Sequence, residues 1–370
     1  MEFSARPITL AFERCGPLVM LPVRVNGSRA LAFELDSGFE SSVIDPQAAA
    51  ALQLPLEDTH REEAPGGSTE VSTVRAVSLA LPGVTLPAAT LQAVPLRQFE
   101  PFFGHALDGI LGYDFFERFV VAVDYAARQI TLHDPAAFAY TGPGEVLPID
   151  LSSRQPYLQA EVVRRDGRAV AGRFEVDTGS MDALGLNSPF VAAQALLEPG
   201  QPVFELRGIS LGGEGLGRVA RMPALRLGGL RIERPIGAIA TDAVERAGQI
   251  GGEILRRFTV IFDYAREQLV LEPNGEFGEP YEFDHSGTLL VAEPPDFRAL
   301  AVKWVLAGTP AAEAGLQAGD ELVALDGERV ESLGLDAVRA RLREGERVWR
   351  LALRRGGVDA TVELRLRRLI

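Results

Sequence analysis

The sequence predicts a mainly β protein in three parts: two copies of one β-rich unit, then a small α/β unit. Three observations carry this expectation. Glycine turns and an Asp-Ser/Thr-Gly tripeptide recur in the same order in the first and second thirds of the chain. Apolar residues alternate on both sides of those turns, the period of half-buried strands. After Pro273-Asn274-Gly275 the pattern changes, and nothing from about Glu279 onward repeats what precedes it. A length of 370 residues fits this count, since domains of about 150 residues bury their own cores.

Composition narrows the function classes. Charged residues make up 24% of the chain and the net charge is −14, so nucleic acid is not an expected partner. No apolar run approaches the roughly 18 residues of a spanning helix, so no integral membrane segment is expected. Cys15 is the single cysteine and rules out an intrachain disulfide. The four histidines, His60, His105, His133 and His285, are scattered without ligand spacing, so neither a metal nor a cofactor is expected. The opening Met1-Glu2-Phe3-Ser4-Ala5-Arg6-Pro7 lacks the basic and apolar regions of a signal peptide. The chain as written fits the cytoplasm, and the periplasm or secretion if a leader has been removed.

Within each repeat, the elements follow in order. Asn26-Gly27 and Asp166-Gly167 sit between strand-like runs and suit a two-residue hairpin turn. About ten residues later come Glu34-Leu35-Asp36-Ser37-Gly38 and Glu175-Val176-Asp177-Thr178-Gly179. Leu79 to Leu86 and Leu225 to Ile232 read as hairpins around Pro82-Gly83 and Gly228-Gly229. The closest correspondence runs from Gly109-Ile110-Leu111-Gly112 to Leu132 against Gly248-Gln249-Ile250-Gly251 to Leu271, with Asp124-Tyr125-Ala126 matching Asp263-Tyr264-Ala265. Asp114 and Glu253 each open a short helical stretch, so each copy is expected to be β with one short helix.

In the last part, Thr309 precedes Pro310 and Gly315 follows, the marks of a short capped helix. A strand Glu321 to Leu325 meets an Asp326-Gly327 turn. Leu335, Val338 and Leu342 mark a second helix, and Val348 to Leu353 and Val362 to Leu366 complete a barrel-like α/β unit.

The two tripeptides point to the chemistry. One Asp-Ser/Thr-Gly is ordinary turn chemistry at a strand end. Two of them, at equivalent places in a duplicated unit, each followed some 75 residues later by an element ending in glycine, are a constellation. Related by a pseudo-twofold axis, Asp36 and Asp177 would lie within hydrogen-bond distance and share one proton, because two adjacent carboxylates do not both ionise. Such a pair activates a water as base and protonates a carbonyl as acid. Ser37 and Thr178 supply hydroxyls that tie one loop to the other, and Gly38 and Gly179 permit close backbone approach.

With these residues in place, the chain over about 10–275 resembles the bilobal aspartic proteases of the pepsin/retropepsin superfamily. The resemblance implies an acid-protease fold of two pseudo-symmetric retropepsin-like lobes, 1–138 and 139–277, with Asp36 and Asp177 catalytic. It implies support from Ile110-Leu111-Gly112 and Gln249-Ile250-Gly251 behind the loops. It also implies flaps at Ala64-Pro65-Gly66-Gly67-Ser68-Thr69 and Ile209-Ser210-Leu211-Gly212-Gly213-Glu214, hence an aspartic endopeptidase acting on polypeptide. Because both halves lie in one chain, oligomerisation is not required for the site. Two positions depart from the family pattern: Phe39 stands where a small or hydroxyl residue is usual, and Gln249 replaces an apolar residue. Ser180 keeps a hydroxyl, which would favour the charged form of Asp177 and leave the proton on Asp36. The alternative function is an inactive peptide-binding scaffold. Gly208-Ile209-Ser210-Leu211-Gly212 also fits a nucleophile elbow, but the glycines after it do not form the required helix.

Residues 278–370 resemble a bacterial-type PDZ domain through Thr309-Pro310-Ala311-Ala312-Glu313-Ala314-Gly315-Leu316 to Leu322 and Asp326-Gly327. That resemblance implies a loop at Ser286-Gly287-Thr288-Leu289-Leu290 presenting N–H groups to a peptide C-terminus, with the peptide adding as a strand.

Overall fold

A computed structural model describes residues 6–64, 66–240 and 245–370. Pro65 and the first five residues, which the sequence reading touched, lie outside them. The chain forms two compact units. The larger takes in residues up to Leu96, Leu107–Gln201 and Gly208–Pro280; the smaller takes in Arg97–Ala106, Pro202–Arg207 and Tyr281–Ile370.

The larger unit is built of strands, as the alternation predicts. In the first repeat, Leu18–Val25, Leu31–Leu35, Val43–Ile44, Glu57–Ala64, Gly67–Leu81, Val84–Ala93 and Gly109–Leu111 share one sheet. In the second, Tyr157–Val163, Ala169–Val176, Leu184–Asn187, Gly213–Arg221, Ala224–Leu227, Leu230–Glu233, Ile236–Ala240 and Gly248–Ile250 share another. In both, the strand leading into Asp-Ser/Thr-Gly pairs in parallel with the strand of the supporting element: Leu35 opposite Leu111, and Val176 opposite Ile250. Parallel pairing needs a crossover of about a dozen residues or more, and the stretch between the two motifs supplies it.

A third sheet joins the repeats. Val120–Asp124 and Phe258–Asp263, the strands of the closest sequence match, pair antiparallel with each other. Ala122 lies opposite Ile261, its own counterpart in the duplication, so the register centres a local twofold axis on that pair. Against it pack Phe116, Phe262 and Tyr264, with Phe116 4.9 Å from the Phe262 ring and 5.4 Å from that of Tyr264. Each buried aromatic of this kind contributes on the order of 2–3 kcal/mol.

Most turns form where the sequence places them. Pro82-Gly83 and Gly228-Gly229 are two-residue turns between Leu81 and Val84 and between Leu227 and Leu230. The Asn26-Gly27 and Asp166-Gly167 hairpins are longer than expected. Asn26 and Gly27 do take positive φ, and the Ser28 N–H closes the turn on the Val25 carbonyl, but pairing resumes only at Val23 with Leu31. Each repeat also holds a second helix that the apolar pattern did not reveal. Asp45 caps Pro46–Ala51 by accepting from Gln47 N and Ala48 N, and Ser188–Ala193 is its counterpart. Both are under two turns, too short for a 3.6-residue period to register.

In the smaller unit, Thr288–Ala292, Leu300–Val305, Glu321–Leu325, Val348–Arg355 and Val358–Arg365 form an open sheet in that order, not a barrel. The helices Pro310–Glu313 and Leu335–Arg341 appear as predicted. Thr309, however, uses its hydroxyl on the Leu306 carbonyl (2.6 Å) and makes no side-chain cap. Leu322, Val338, Trp349 and Leu353 lie in its core. Segment 97–106 belongs to this unit: Phe102 stands 6.1 Å from the Trp304 ring, and Gly104 abuts Leu335 and Ala292.

Candidate active site

Asp36 and Asp177 each follow the last residue of an internal strand, and each is fixed by its own backbone. Asp36 N donates to the Leu111 carbonyl and Asp177 N to that of Ile250, both at 3.0 Å. This is the work of the supporting elements. Gly112 and Gly251 then turn the chain away, with Gly112 N donating to Ser42 Oγ (3.1 Å) and Gly251 N to the Ala183 carbonyl (3.0 Å). A Cβ on Gly112 would collide with the Ser41 carbonyl, and one on Gly251 with that of Asp182.

The two loops are tied by four reciprocal hydrogen bonds. Ser37 Oγ donates to the Val176 carbonyl (2.6 Å) and accepts from Thr178 N (3.1 Å). Thr178 Oγ1 donates to the Leu35 carbonyl (2.8 Å) and accepts from Ser37 N (2.9 Å). Both side chains are fully buried, so every one of these groups would otherwise be unsatisfied.

That tie brings the carboxyls together. Asp36 and Asp177 hydrogen-bond one another. Each also accepts from the glycine of its own motif, Gly38 N to Asp36 Oδ1 at 2.7 Å and Gly179 N to Asp177 Oδ1 at 3.0 Å. Each glycine lies against the opposite acid: a Cβ on Gly179 would run into the Asp36 carboxyl, and one on Gly38 would sit 3.0 Å from Asp177 Oδ1. Only glycine leaves room for both acids at that spacing.

Burial pushes Asp36 up to about 6, restrained by the Gly38 N–H, the Asp177 side chain and the Gly179 N–H. Burial and then the neighbouring charge of Asp36 hold Asp177 well above the usual carboxylate range. Both carboxyls are thus held above the usual carboxylate range, by burial first in each, and the pair shares one proton. The Ser180 hydroxyl accepts from Asp182 N (3.3 Å), and Asp177 receives the Ser180 backbone N–H instead.

Of the other expected residues, Leu111 and Ile250 are buried behind the loops. Phe39 acts through its backbone, its carbonyl accepting from Tyr113 N (2.9 Å). The flap candidates are the tips of two hairpins. Gly66 and Gly67 of one meet Ser210 and Gly212 of the other, so closely that a Cβ on Gly67 would stand 2.7 Å from the Gly212 carbonyl oxygen. Ser68 pairs with Glu63 on the first hairpin's stem, while Leu211 and Gly213 flank the tip of the second.

The Ser286–Leu290 loop stands apart in the smaller unit and is internally satisfied. Asp284 Oδ1 accepts from Ser286 N (2.9 Å) and Gly287 N (2.5 Å), and Ser286 Oγ accepts from Thr288 N (3.0 Å). Thr288 begins the last strand of the sheet, Leu289 lies opposite Trp304 on it, and Leu290 is buried in the core with its carbonyl taking Arg339 Nη2 (2.7 Å).

Sequence reasoning passed over three residues at the larger unit's site. Gln155 Nε2 donates to the Gly38 carbonyl (2.6 Å) across the repeats. Tyr264 has a buried hydroxyl without a hydrogen-bond partner that is influenced by Asp36. Glu34 is 2% exposed, and burial, then Asp36 and Asp177, hold its carboxyl well above the ordinary range. Its recurrence as Glu175 at the same place in the second repeat was the available signal.

Among the described residues, no group of acidic, histidine or cysteine side chains could hold a metal ion. No described helix is long and apolar enough to cross a membrane.

The family described as Aspartyl protease matches residues 21–115, which include Asp36-Ser37-Gly38, the first flap hairpin and Ile110-Leu111-Gly112. The family described as PDZ domain matches residues 302–355. No curated protein matches the chain. The second acid lies outside both matched stretches and reaches the site through the duplication. The chain thus carries an aspartyl protease-like domain followed by a PDZ domain.

Proposed function

We propose that the protein is an aspartic endopeptidase that hydrolyses polypeptides with water activated between Asp36 and Asp177. The observation that carries this reading is the hydrogen bond between the two buried carboxyls across the pseudo-twofold axis. Ionised Asp36 takes a proton from water as its oxygen attacks the amide carbonyl carbon, and Asp177 gives its proton to the carbonyl oxygen. Collapse of the resulting gem-diol breaks the C–N bond: Asp36 passes the proton it took from water to the leaving nitrogen, and Asp177 recovers a proton from a gem-diol hydroxyl as the carboxylic acid product forms. Backbone N–H groups already aimed at the carboxylates hold them in place, so little reorganisation accompanies the reaction. The paired flap tips lie on hairpins suited to cover an extended peptide.

The PDZ domain is read as a peptide-binding module, with Thr288–Ala292 the last strand of its sheet. A second reading, an inactive peptide-binding scaffold, draws on the contact between the flap tips and on Phe39. Incubating the full chain with an unfolded polypeptide, beside Asp36→Asn and Asp177→Asn, separates the two. Cleavage lost in both variants supports the protease. Cleavage retained in either variant refutes the dyad, and no cleavage by the parent chain between pH 4 and 7 favours the scaffold.

A further inference from the structure

The two repeats place a glutamate at the same point, two residues before the catalytic-type aspartate, and treat it differently. Glu175 is buried and forms an ion pair with Arg246. Glu34 is buried to the same degree, yet its Oε1 has no hydrogen-bond partner. The residue matching Arg246 in the first repeat, immediately before Asp108-Gly109 as Arg246 is before Ala247-Gly248, is Leu107, which is 1% exposed. The cation that neutralises one glutamate is missing for the other.

Glu34 sits on Leu31–Leu35 between Met20 and Ile110 of the flanking strands, both apolar and buried. Residues two apart on a strand share a face, which sets Glu34 on the side toward Asp36. The ionisable groups that face it are Asp36, Asp177 and Tyr125, whose own hydroxyl is buried without a partner. Beyond Tyr125 stands Arg14, which is engaged with Glu276 at 3.6 Å. An isolated ionised carboxylate in such a place is too costly to persist, and the group keeps its proton instead.

We propose that Glu34 is a third carboxylic acid of the Asp36/Asp177 cluster, a positioning residue that holds its own proton while the pair shares one, and so keeps the cluster at a single negative charge. The proposal rests on the dyad reading, and it adds a member that acts through the two aspartates and not on substrate. Ionisation of Glu34 at higher pH puts a second negative charge beside the pair and makes the dyad's remaining proton harder to remove. Three buried carboxyls, not two, then set the basic limb of activity.

The test is Glu34→Gln in the full chain, alone and in a chain carrying both Asp36→Asn and Asp177→Asn, with urea unfolding followed from pH 4 to 8 by far-ultraviolet circular dichroism. A group that keeps its proton on folding favours the folded state below its unfolded-state value and loses that contribution as pH rises toward its folded value. The ratio of unfolding constants, parent over Gln variant, is therefore expected to grow by up to about tenfold per pH unit above roughly 4.5. In the background with both aspartates replaced by Asn the growth should stop at a lower pH, because the pair's negative charge is gone. A ratio that does not change with pH overturns the proposal. A ratio that grows identically with and without the two aspartates shows a lone buried acid and also overturns it. Glu34→Met, matching Met20 and Ile110 in character, provides the same comparison if the amide is not tolerated. None of these readouts needs turnover, so a chain that proves inactive refutes the protease reading separately. Where cleavage is measurable, Glu34→Gln should move the basic limb of the pH–rate profile to lower pH, which a purely structural role would not do.

Discussion

Replacing Ser37 by Ala tests whether the loop tie holds the candidate site together. The hydroxyl accepts from Thr178 N at 3.1 Å and donates to the Val176 carbonyl at 2.6 Å, in a place where both Ser37 and Thr178 are fully buried. Its removal strands one buried donor and one buried acceptor with no room for water. Each such group costs about 1–3 kcal/mol, so the larger unit should lose about 2–6 kcal/mol. Against the typical 5–15 kcal/mol of a folded domain this is a large share. The two tryptophans, Trp304 and Trp349, both lie in the smaller unit and supply an internal control. In urea, the circular dichroism transition, dominated by the strand-rich larger unit, should move to lower denaturant with little change in slope. The tryptophan fluorescence transition should stay where it is. Thr178→Val, which removes the reciprocal pair, should behave alike, and the double variant should cost less than the sum, because one lost bridge already loosens the other. A shift of under about 0.5 kcal/mol for Ser37→Ala, or an equal shift of both transitions, would refute the reasoning, since buried polar groups left unpaired cannot be that cheap.

Four further outcomes are expected. With Asp36 pushed up to about 6 by burial, cleavage by the parent chain should fall as pH drops below about 6 and the ionised partner is lost; a pH–rate profile that stays flat from pH 7 down to 4 would refute this. The same shift makes Asp36 favour folding most below its unfolded value near 4 and lose that contribution as pH rises through about 6, so the stability gained by Asp36→Asn should grow across that window, read by thermal denaturation. Gly212→Ala places a Cβ against the Gly67 backbone and should part the flap tips, raising amide exchange across residues 60–70 and 208–216 while leaving the exchange of 31–38 unchanged. Asp284→Ala releases Ser286 N and Gly287 N, and should increase retention of free-carboxyl over amidated peptides ending in Val or Leu, measured with the full chain by fluorescence anisotropy.

Much of this protein was legible because its signals are local or repeated. Pro82-Gly83 and Gly228-Gly229 make their turns from their own backbone preferences, and Leu335, Val338 and Leu342 mark a helix face by spacing alone. The duplication made Asp36 and Asp177 stand out together, since a pattern that occurs twice in order is not turn chemistry by accident. Signals failed where the element was too short or the partner too remote. Pro46–Ala51 and Ser188–Ala193 are shorter than the periodicity needed to see them. The length of the Asn26-Gly27 connection depends on where Leu31 finds Val23, which the dipeptide does not encode.

The sequence by itself determined the two-copy β architecture, the candidate acids, the glycines that admit them and the PDZ-like unit, because strand alternation, turn chemistry and repetition are properties of neighbours along the chain. Only the tertiary structure decided that Ser37 and Thr178 bridge 141 residues, that burial holds both Asp36 and Asp177 above the usual carboxylate range, and that Glu34 is left without the cation its counterpart has. Those outcomes depend on which groups meet across the pseudo-twofold axis and on how far each is removed from water. Burial and charge act through space, and a glutamate paired with arginine differs from one facing leucine only once the chain has folded.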